Sequence, residues 1–375
     1  MKSEPMYRKI YQDLYHGIQN GAYPVGSKLP SEKELSNTYG VSRITSQKAI
    51  EILADKGYVM RQPGKGTFVI ETDGQTRAED VELFVDNETS TEEEGEAPIQ
   101  VGVIMDSLGV AFGCELLRGI EYECRRRGFL MQLRLTYGSM EHEKNAILDM
   151  CKAGVKGLIF MSVQDEAYNE EILKLYLKQF PMVLIDRELK GIPVPVVTTD
   201  NYNASIALTT RLIELGHEKI CFVSNSSKQT STVNERFTGY CHAMSSNGLV
   251  TDESLWVRNV DAYLPNEDDT IEEEHISREW LSEYVDAHPE VTAFYAAEYS
   301  MAKLMYAILE EKGLLKEKEL AFFDSVDEAA DMLEHYPHVV QKQYQMGVTA
   351  TRMLAHRIRG EEVTGREDVP FETYF

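Results

Sequence analysis

The sequence has few of the features that mark secreted, membrane-spanning or metal-binding chains. Its 375 residues include only five cysteines, which are scattered and form no CxxC pair. Such cysteines are typical of reduced thiols in the cytosol rather than of a disulfide framework or a zinc site. No apolar run approaches the length of a membrane span, and the first residues lack the apolar core of a signal peptide. We therefore expect a cytoplasmic protein.

The motifs of common catalytic sites are missing as well. The sequence contains no HExxH, no GxSxG and no cluster of histidines and cysteines. The run Gly64-Lys65-Gly66-Thr67 is not a phosphate loop, because the preceding glycine spacing and the following helix are absent. We predict that the chain is not an enzyme and that it needs neither a cofactor nor a metal ion.

Acidic charge dominates the chain but is unevenly distributed. The formal net charge is −24, which at first argues against a nucleic-acid partner. Residues 1–70, however, hold ten lysines and arginines against six acidic residues, whereas residues 71–97 hold one against eleven. A basic end on an acidic chain indicates that this end contacts a polyanion. A chance fluctuation in a small segment is the alternative.

The composition divides the chain into three segments. Residues 1–72 form a first domain, and residues 73–97 form an acidic, flexible linker that is poor in large apolar residues. Residues 98–375 alternate apolar runs with stretches of helical apolar spacing. This alternation predicts an α/β fold with parallel sheets, in which ligands bind at the carboxyl ends of the strands. The apolar runs are Ile99–Met105, Gly157–Ser162, Met182–Asp186, Lys219–Ser224, Ala293–Ala297 and Leu320–Phe323.

The first domain has the pattern of a winged helix-turn-helix, an α+β fold. A helix predicted over residues 6–20 is followed by Ser31 and Glu34, which have the spacing of a capping box at the start of a second helix. After a glycine turn, Ser42 is the expected cap of a third helix. Two short apolar runs around Pro63-Gly64-Lys65-Gly66 predict a hairpin, which would be the wing.

These motifs and their spacing resemble the GntR family of bacterial regulators over residues 6–70. The runs that carry the resemblance are Leu29-Pro30-Ser31-Glu32, Gly40-Val41-Ser42-Arg43-Ile44-Thr45 and Gly64-Lys65-Gly66-Thr67-Phe68-Val69. The resemblance implies a homodimer on two-fold symmetric, double-stranded operator DNA. The third helix would lie in the major groove and the wing against the minor groove. The residues expected to contact DNA are Ser31, Glu32, Ser42, Arg43, Thr45, Gln47, Lys65 and Gly66.

The chemistry of these side chains suits such contacts. Arg43 can pair bidentately with guanine, and Lys65 beside the bare backbone of Gly66 suits a close approach to DNA. Gln47 stands where many relatives carry arginine, which predicts a preference for adenine at that step. The alternatives are structural: Arg43 as a solvated helix charge, and Ser31 as a helix cap alone.

Several sequence motifs of the third segment match those of a known class of ligand-sensing domain. They include Ile99-Gln100-Val101-Gly102-Val103-Ile104, Pro181-Met182-Val183-Leu184-Ile185-Asp186-Arg187 and Glu235-Arg236-Phe237-Thr238-Gly239-Tyr240. Together they resemble the sugar-sensing domain of LacI/GalR regulators, which is similar to periplasmic sugar-binding proteins. The resemblance implies two subdomains hinged by crossing strands, with a small-molecule effector in the cleft. The ligand-binding candidates that it implies are Asp106, Phe112, Arg187, Arg236, Glu298 and Asp324.

The combination of a DNA-binding domain and a sugar-sensing domain resembles the arabinose repressor class. Departures from the family pattern leave the identity of the ligand open. Glu298-Tyr299 stands where relatives commonly have Asn-Asp. Guanidinium and carboxylate groups suit the hydroxyls of a polyol, and Phe112 suits the apolar face of a sugar ring. We expect a sugar-released repressor of carbohydrate uptake or catabolism genes; an activator, or a regulator that responds to a nucleoside, is the alternative. Phe112 as a core residue and Asp186-Arg187 as an ion pair of little value are the structural alternatives.

Overall fold

The computed structural model describes residues 6–19, 22–24, 26–55, 58–62, 66–69, 97–163, 168–225, 230–260, 274–325 and 332–375. The chain divides into two units, residues 1–95 and residues 96–375. Nearly all of the predicted linker, residues 73–97, lies outside the described residues, and so does Lys65 at the predicted wing tip.

The first unit is a three-helix domain with a two-stranded hairpin. Its elements are α1 (Met6–Gln19), α2 (Glu32–Tyr39), α3 (Arg43–Asp55), β1 (Val59–Gln62) and β2 (Gly66–Val69). The two strands pair antiparallel, and apolar residues from all three helices and both strands form one core. This order of elements confirms the predicted winged helix-turn-helix. The runs expected for the hairpin, Tyr58–Arg61 and Thr67–Ile70, differ from the two strands by one residue at each end.

The caps predicted for the two central helices are present. Ser31 Oγ accepts a hydrogen bond from the backbone N–H of Glu34 at 3.3 Å, and Glu34 Oε2 accepts one from the backbone N–H of Ser31 at 2.8 Å. Ser42 Oγ accepts from the backbone N–H of Thr45 at 3.2 Å. These bonds satisfy donors that have no partner within the helix, and each such cap contributes about 1 kcal/mol.

The second unit consists of two subdomains, each built on a six-stranded sheet. In chain order its elements are β3 (Gln100–Met105), α4 (Cys114–Arg126), β4 (Leu130–Leu135), α5 (Met140–Lys152), β5 (Gly157–Phe160), α6 (Glu170–Leu177), β6 (Met182–Ile185), β7 (Val196–Thr199), α7 (Asn201–Glu214), β8 (Ile220–Asn225), α8 (Ser231–Ser246), β9 (Trp256–Val260), α9 (Glu274–Ala287), β10 (Ala293–Ala296), α10 (Tyr299–Glu311), β11 (Glu319–Phe323), β12 (His338–Gln341), α11 (Gln343–Ile358), β13 (Arg366–Val369) and β14 (Phe371–Tyr374). The strand orders are β13-β7-β6-β5-β3-β4 and β14-β12-β11-β10-β8-β9. All neighbours pair parallel except β12 with β14.

Both faces of each sheet are covered, which explains why the central strands are apolar almost throughout. In β3, Val101 and Val103 belong to the core shared with α4 and α11, whereas Ile104 belongs to the core on the opposite face. In β8, Val223 and Phe222 divide between two cores in the same way. Burial of each such side chain contributes about 1.5–3 kcal/mol.

Three crossings of the chain join the two subdomains. Strand β7 leads into α7 at residues 199–201, β12 leads into α11 at residues 341–343, and β13 leads into β14 around Pro370. Helix α11 thus returns to the N-terminal subdomain, where it packs on α4. These crossings confirm the predicted pair of hinged subdomains with parallel sheets.

Glycines allow α4 and α11 to pack at close range. A Cβ atom on Gly347 would lie 2.3 Å from the carbonyl oxygen of Leu116, and a Cβ atom on Gly119 would lie 2.1 Å from that of Tyr344. Backbone cannot yield to such contacts without a shift of the whole helix. The start of α11 is therefore fixed beside the start of α4.

The sequence predicted half of the strands of the two sheets. All six predicted apolar runs are strands, with ends that differ by at most two residues. The edge strands β4, β9, β13 and β14 and the inner strands β7 and β12 were not predicted. Edge strands meet water on one side, and β13 reads Arg-Glu-Asp-Val, so it has no apolar run from which it could be recognised.

Candidate functional site

A cavity of about 460 Å³ lies between the two subdomains, at the carboxyl ends of both sheets. Its size is within the range of small-molecule sites in proteins, roughly 300–1,000 Å³. All six residues proposed as ligand-binding candidates from the sequence line it, namely Asp106, Phe112, Arg187, Arg236, Glu298 and Asp324. The structure thus brings together side chains that are separated by up to 218 positions in the sequence.

The N-terminal half of the cavity is organised around Arg187, which follows β6. Its Nη2 donates to Asp106 Oδ2 at 3.0 Å, and its Nη1 donates to the carbonyl oxygen of Ser162 at 3.4 Å. Its Nε lies 3.6 Å from Asp186 Oδ2. The ion pair between Asp186 and Arg187 that was considered as a structural alternative therefore exists, but it forms part of the cavity wall.

The C-terminal half is organised around Arg236 on α8, which is 3% exposed. Its Nε donates to Asn201 Oδ1 at 2.8 Å, and its Nη1 donates to the carbonyl oxygen of Ala297 at 2.6 Å. The guanidinium carbon lies 4.0 Å from the centre of the Phe323 ring. Neutral acceptors and an aromatic face thus hold this guanidinium in a single orientation.

Two carboxyl groups follow the strands of the C-terminal half. Asn225 Nδ2 donates to Glu298 Oε2 at 2.9 Å, and Gln341 Nε2 donates to Asp324 Oδ1 at 2.9 Å. Burial raises the pKa of Asp324 to about 6, against the opposing effect of Arg236. Burial likewise raises the pKa of Glu298, because the charged form loses its hydration inside the cavity.

Asp186 and Asp324 occupy equivalent places in the two subdomains and share a strained backbone. Each directly follows a buried strand, and their φ angles are 67° and 68°. This left-handed conformation is uncommon for residues other than glycine, and aspartate tolerates it better than most. Strain that is retained at two related positions in one cavity points to a functional site.

Sequence reasoning did not select Asp186 or Gln341 as ligand-binding candidates, although both line the cavity. Gln341 is 4% exposed, and its Oε1 is buried without a hydrogen-bond partner among the described residues. The position of Asp186 at the end of an apolar strand could have selected it. Nothing in the sequence marks the amide of Gln341, because its partner Asp324 comes from another strand.

Phe112 has two roles in the structure. It lines the cavity, and it also packs against the core that α4 and α11 share. The structural alternative considered for this residue therefore holds, and its contact with a ligand is still a prediction. Asp200 accepts a hydrogen bond from the N–H of Asn203 at 3.1 Å and so caps α7.

In the first unit, the predicted DNA-contacting residues that the structure describes lie at or near the starts of α2 and α3, except for Gly66 in the hairpin. Arg43 and Gln47 are exposed on α3, one turn apart. Ser42 and Thr45 bond to each other through their hydroxyl oxygens at 2.8 Å, so both contribute to the helix start. At Gly66 the φ angle of 125° is accessible only to glycine, which gives this residue a structural role in the hairpin.

Ser31 and Glu32 lie at the start of α2. Ser31 engages Glu34 through both its backbone and its hydroxyl group. These two hydrogen bonds lower the pKa of Glu34, so the carboxylate that completes the capping box stays charged. The structural role of Ser31 is thus established by geometry, whereas a phosphate contact at this helix start is still a prediction.

A winged helix-turn-helix joined to a hinged cavity defines a ligand-responsive DNA-binding regulator. The chain belongs to the family of periplasmic binding proteins and sugar binding domains of the LacI family, whose model matches residues 99–371. The model of the gntR family of bacterial regulatory proteins matches residues 6–69. Among the described residues, no helix is long and apolar enough to cross a membrane.

One curated relative is similar over nearly the whole chain, and solved structures share the fold. The chain is 24% identical to the arabinose metabolism transcriptional repressor of Geobacillus stearothermophilus over 98% of this chain and 95% of that protein. It resembles the crystal structure of the transcription regulator CcpA of Lactococcus lactis with a TM-score of 0.63 and 20% identity, over 74% of this chain and 98% of that one. A complex of the transcriptional regulator CelR with cellobiose gives a TM-score of 0.62 at 21% identity, over 92% and 99%.

These comparisons confirm the predicted fold class and the two resemblances stated from the sequence. They also confirm the predicted function at the level of a ligand-responsive transcription regulator of the carbohydrate-repressor class. The individual DNA and ligand contacts stay predictions.

Proposed function

We propose that this protein represses carbohydrate genes as a homodimer on operator DNA in the cytoplasm and leaves the operator when a sugar enters the cavity between its subdomains. The observation that carries the proposal is the convergence of Asp106, Phe112, Arg187, Arg236, Glu298 and Asp324 on one cavity at the hinge. No catalytic step is assigned to the cavity, since the family consists of transcription regulators.

The chemistry of the lining favours a ligand with many hydroxyl groups. Four carboxyl groups line the cavity, and carboxylates accept hydrogen bonds from hydroxyls. Arg236 can donate to a hydroxyl or ring oxygen, and the Phe112 ring can cover an apolar sugar face. A ligand without these hydroxyls would leave buried acceptors such as Gln341 Oε1 unpaired, which is the physical basis of discrimination.

Ligand and DNA affinity are coupled if the sugar binds one arrangement of the subdomains more tightly than the other. The cavity walls belong to different subdomains, so a ligand that contacts both walls favours their approach. In a homodimer this rearrangement would move the two DNA-binding domains out of register with a two-fold symmetric operator.

Calorimetric titration of the full chain tests the ligand. The panel is L-arabinose, D-ribose and cellobiose, with adenosine to represent nucleosides. We expect one of the sugars to bind, and we expect Arg236→Ala to weaken its binding roughly 10- to 100-fold, the value of one or two charge-assisted hydrogen bonds. Arg278→Ala is the matched control, because Arg278 lies in the same subdomain and forms an exposed ion pair with Glu311. Binding of adenosine alone would replace the sugar in this proposal.

Selection of duplexes from a random library, followed by fluorescence anisotropy at fixed salt, tests the reader. Arg43→Ala should reduce affinity for the selected duplex by about 1–3 kcal/mol and relax the base preference at one step in each half-site. Lys9→Ala is the control for loss of charge alone, because Lys9 is exposed on α1. Equal losses in the two variants would show that Arg43 contributes only its charge.

A further inference from the structure

The loop between β3 and α4 forms one wall of the cavity. Val110, Ala111 and Phe112 in this loop line the cavity, and Val110 is 68% exposed. Within the loop, the Gly109 N–H donates to the carbonyl oxygen of Phe112 at 2.9 Å. A second bond, from the Cys114 N–H to the Gly109 carbonyl oxygen at 3.4 Å, also lies within this segment. Neither bond ties the loop to the hinge, whereas a contact from outside the loop can.

Gln343 supplies that outside contact from the other end of the sensor sequence. Its Nε2 donates to the carbonyl oxygen of Ala111 at 2.7 Å, and its Oε1 accepts from the N–H of Gly113 at 2.9 Å. The side chain is only 8% exposed. One buried amide therefore binds the backbone on both sides of Phe112.

Gln343 is also the first residue of α11. It ends the crossing from β12 to α11, which is the second of the three crossings and is called the middle hinge crossing here. Two residues earlier, Gln341 binds Asp324 in the C-terminal half of the cavity. Between them, Lys342 Nζ lies 3.1 Å from Glu372 Oε1 on the last strand. Three consecutive side chains at this crossing thus reach three separate parts of the sensor.

The geometry requires an amide at this position. The loop presents a carbonyl oxygen, which needs a donor, and an N–H, which needs an acceptor, and an amide offers both. A carboxylate would keep the acceptor and lose the donor, and alanine would lose both. The close packing of Gly347 on Leu116 fixes the start of α11 beside α4, so Gln343 stays within reach of the loop.

We propose that Gln343 is a positioning residue that holds the Phe112 loop to the middle hinge crossing, so that the aromatic wall of the cavity moves with the hinge. The placement of the loop does not depend on which ligand binds. Only the interpretation of Phe112 as a ligand-facing wall rests on the proposed function.

Hydrogen exchange of the full chain without ligand tests the proposal. Gln343→Ala should speed exchange in the peptide that contains residues 107–116 by roughly 10- to 30-fold, the combined effect of the two lost buried hydrogen bonds. Gln345→Ala is the matched control, because Gln345 is the same residue type in the same helical turn and is exposed. Exchange in this control should match the wild type.

The Gln343→Glu variant gives a second measurement of exchange at residues 107–116. It can be used if the alanine variant does not fold. It should give intermediate exchange, because the bond to Gly113 remains and the bond to Ala111 is lost. Unchanged exchange at residues 107–116 in a folded Gln343→Ala variant would overturn the proposal. So would an equal increase throughout the N-terminal subdomain, which would indicate a general packing role. Failure of every sugar to bind would overturn the proposed function and leave this result intact.

Discussion

The two halves of the cavity handle buried charge in different ways. In the N-terminal half, Arg187 forms ion pairs with Asp106 and Asp186, so one guanidinium lies directly against two carboxylates and balances one of their charges. In the C-terminal half, Glu298 and Asp324 accept hydrogen bonds from amides and have no ion pair within 4.0 Å among the described residues.

This difference assigns different tasks to the two halves. A self-neutralised pair is stable without a ligand, whereas buried carboxyl groups with amide partners keep acceptor capacity for the hydroxyls of a ligand. We therefore propose that the N-terminal half contributes mainly to a stable cavity wall and the C-terminal half mainly to ligand recognition. Substitutions that separate stability from ligand binding test this difference.

The largest effect is expected for Arg187→Ala. Removal of this guanidinium leaves Asp106 and Asp186 buried without their counter-ion, and we expect a loss of about 3–5 kcal/mol in the free energy of unfolding. Urea denaturation measures the loss. The double variant Arg187→Met with Asp106→Asn should recover part of it, because one buried carboxylate is removed together with its partner while Asp186 still lacks a counter-ion. A loss below about 1 kcal/mol in the single variant would contradict the stabilising task of this half.

The next effect is a gain of stability in Asp324→Asn. The pKa of Asp324 is about 6 in the folded chain against 3.8 for the free group, so the folded state retains a proton that the unfolded state has lost. Stability due to this group is thus highest below pH 3.8 and falls as the pH rises to about 6. Removing the charge should stabilise the protein at pH 8 by up to roughly 3 kcal/mol and have little effect at pH 4.

Thermal unfolding at both pH values measures the change in stability, and the sugar titration measures the change in ligand affinity. The variant should bind sugar more weakly although it is more stable, because an amide accepts fewer hydrogen bonds than a carboxylate. Asp286→Asn is the control, since Asp286 forms an exposed ion pair with Lys312 in the same subdomain. A variant with unchanged stability at pH 8 would show that Asp324 carries no burial penalty.

The smallest effect is expected where the two halves meet on the outside of the cavity. Arg366 on β13 contacts Glu235 on α8, with Nη2 to Oε2 at 2.9 Å, and Glu235 directly precedes Arg236. This pair is partly solvated, so a double-mutant cycle of Arg366→Ala and Glu235→Gln should give a coupling of about 0.5–1 kcal/mol. A coupling near zero would mean that the contact does not hold the subdomains together.

The sequence was sufficient to predict the architecture because central parallel strands are apolar on both faces. Such runs, as in β3 and β8, are visible without any tertiary information. Edge strands such as β13 are polar on their exposed side and become recognisable only when a neighbouring strand is known. The capping box at Ser31 was predictable for a related reason, since both partners lie within three residues.

The cavity was predictable only in part. The six ligand-binding candidates came from family sequence motifs that were matched residue by residue, and the structure places all six around one cavity. The amides that hold the site, Asn201, Gln341 and Gln343, were not selected as ligand-site residues. Each of them bonds to a group from a different element, such as the pairing of Gln343 with Gly113, 230 positions away. Pairings of this kind depend on the tertiary fold and leave no local pattern.

The central claim is that a sugar in the cavity controls DNA binding. Its most direct test is the affinity of the full chain for a selected operator duplex, measured by fluorescence anisotropy at fixed salt with and without the sugar that binds. The account predicts that a sugar concentration just sufficient to saturate the wild type weakens its operator binding at least about tenfold, a coupling of about 1.4 kcal/mol. The same concentration should have a smaller effect on Arg236→Ala, which binds the sugar more weakly. An unchanged operator affinity in wild-type protein that demonstrably binds the sugar would contradict it.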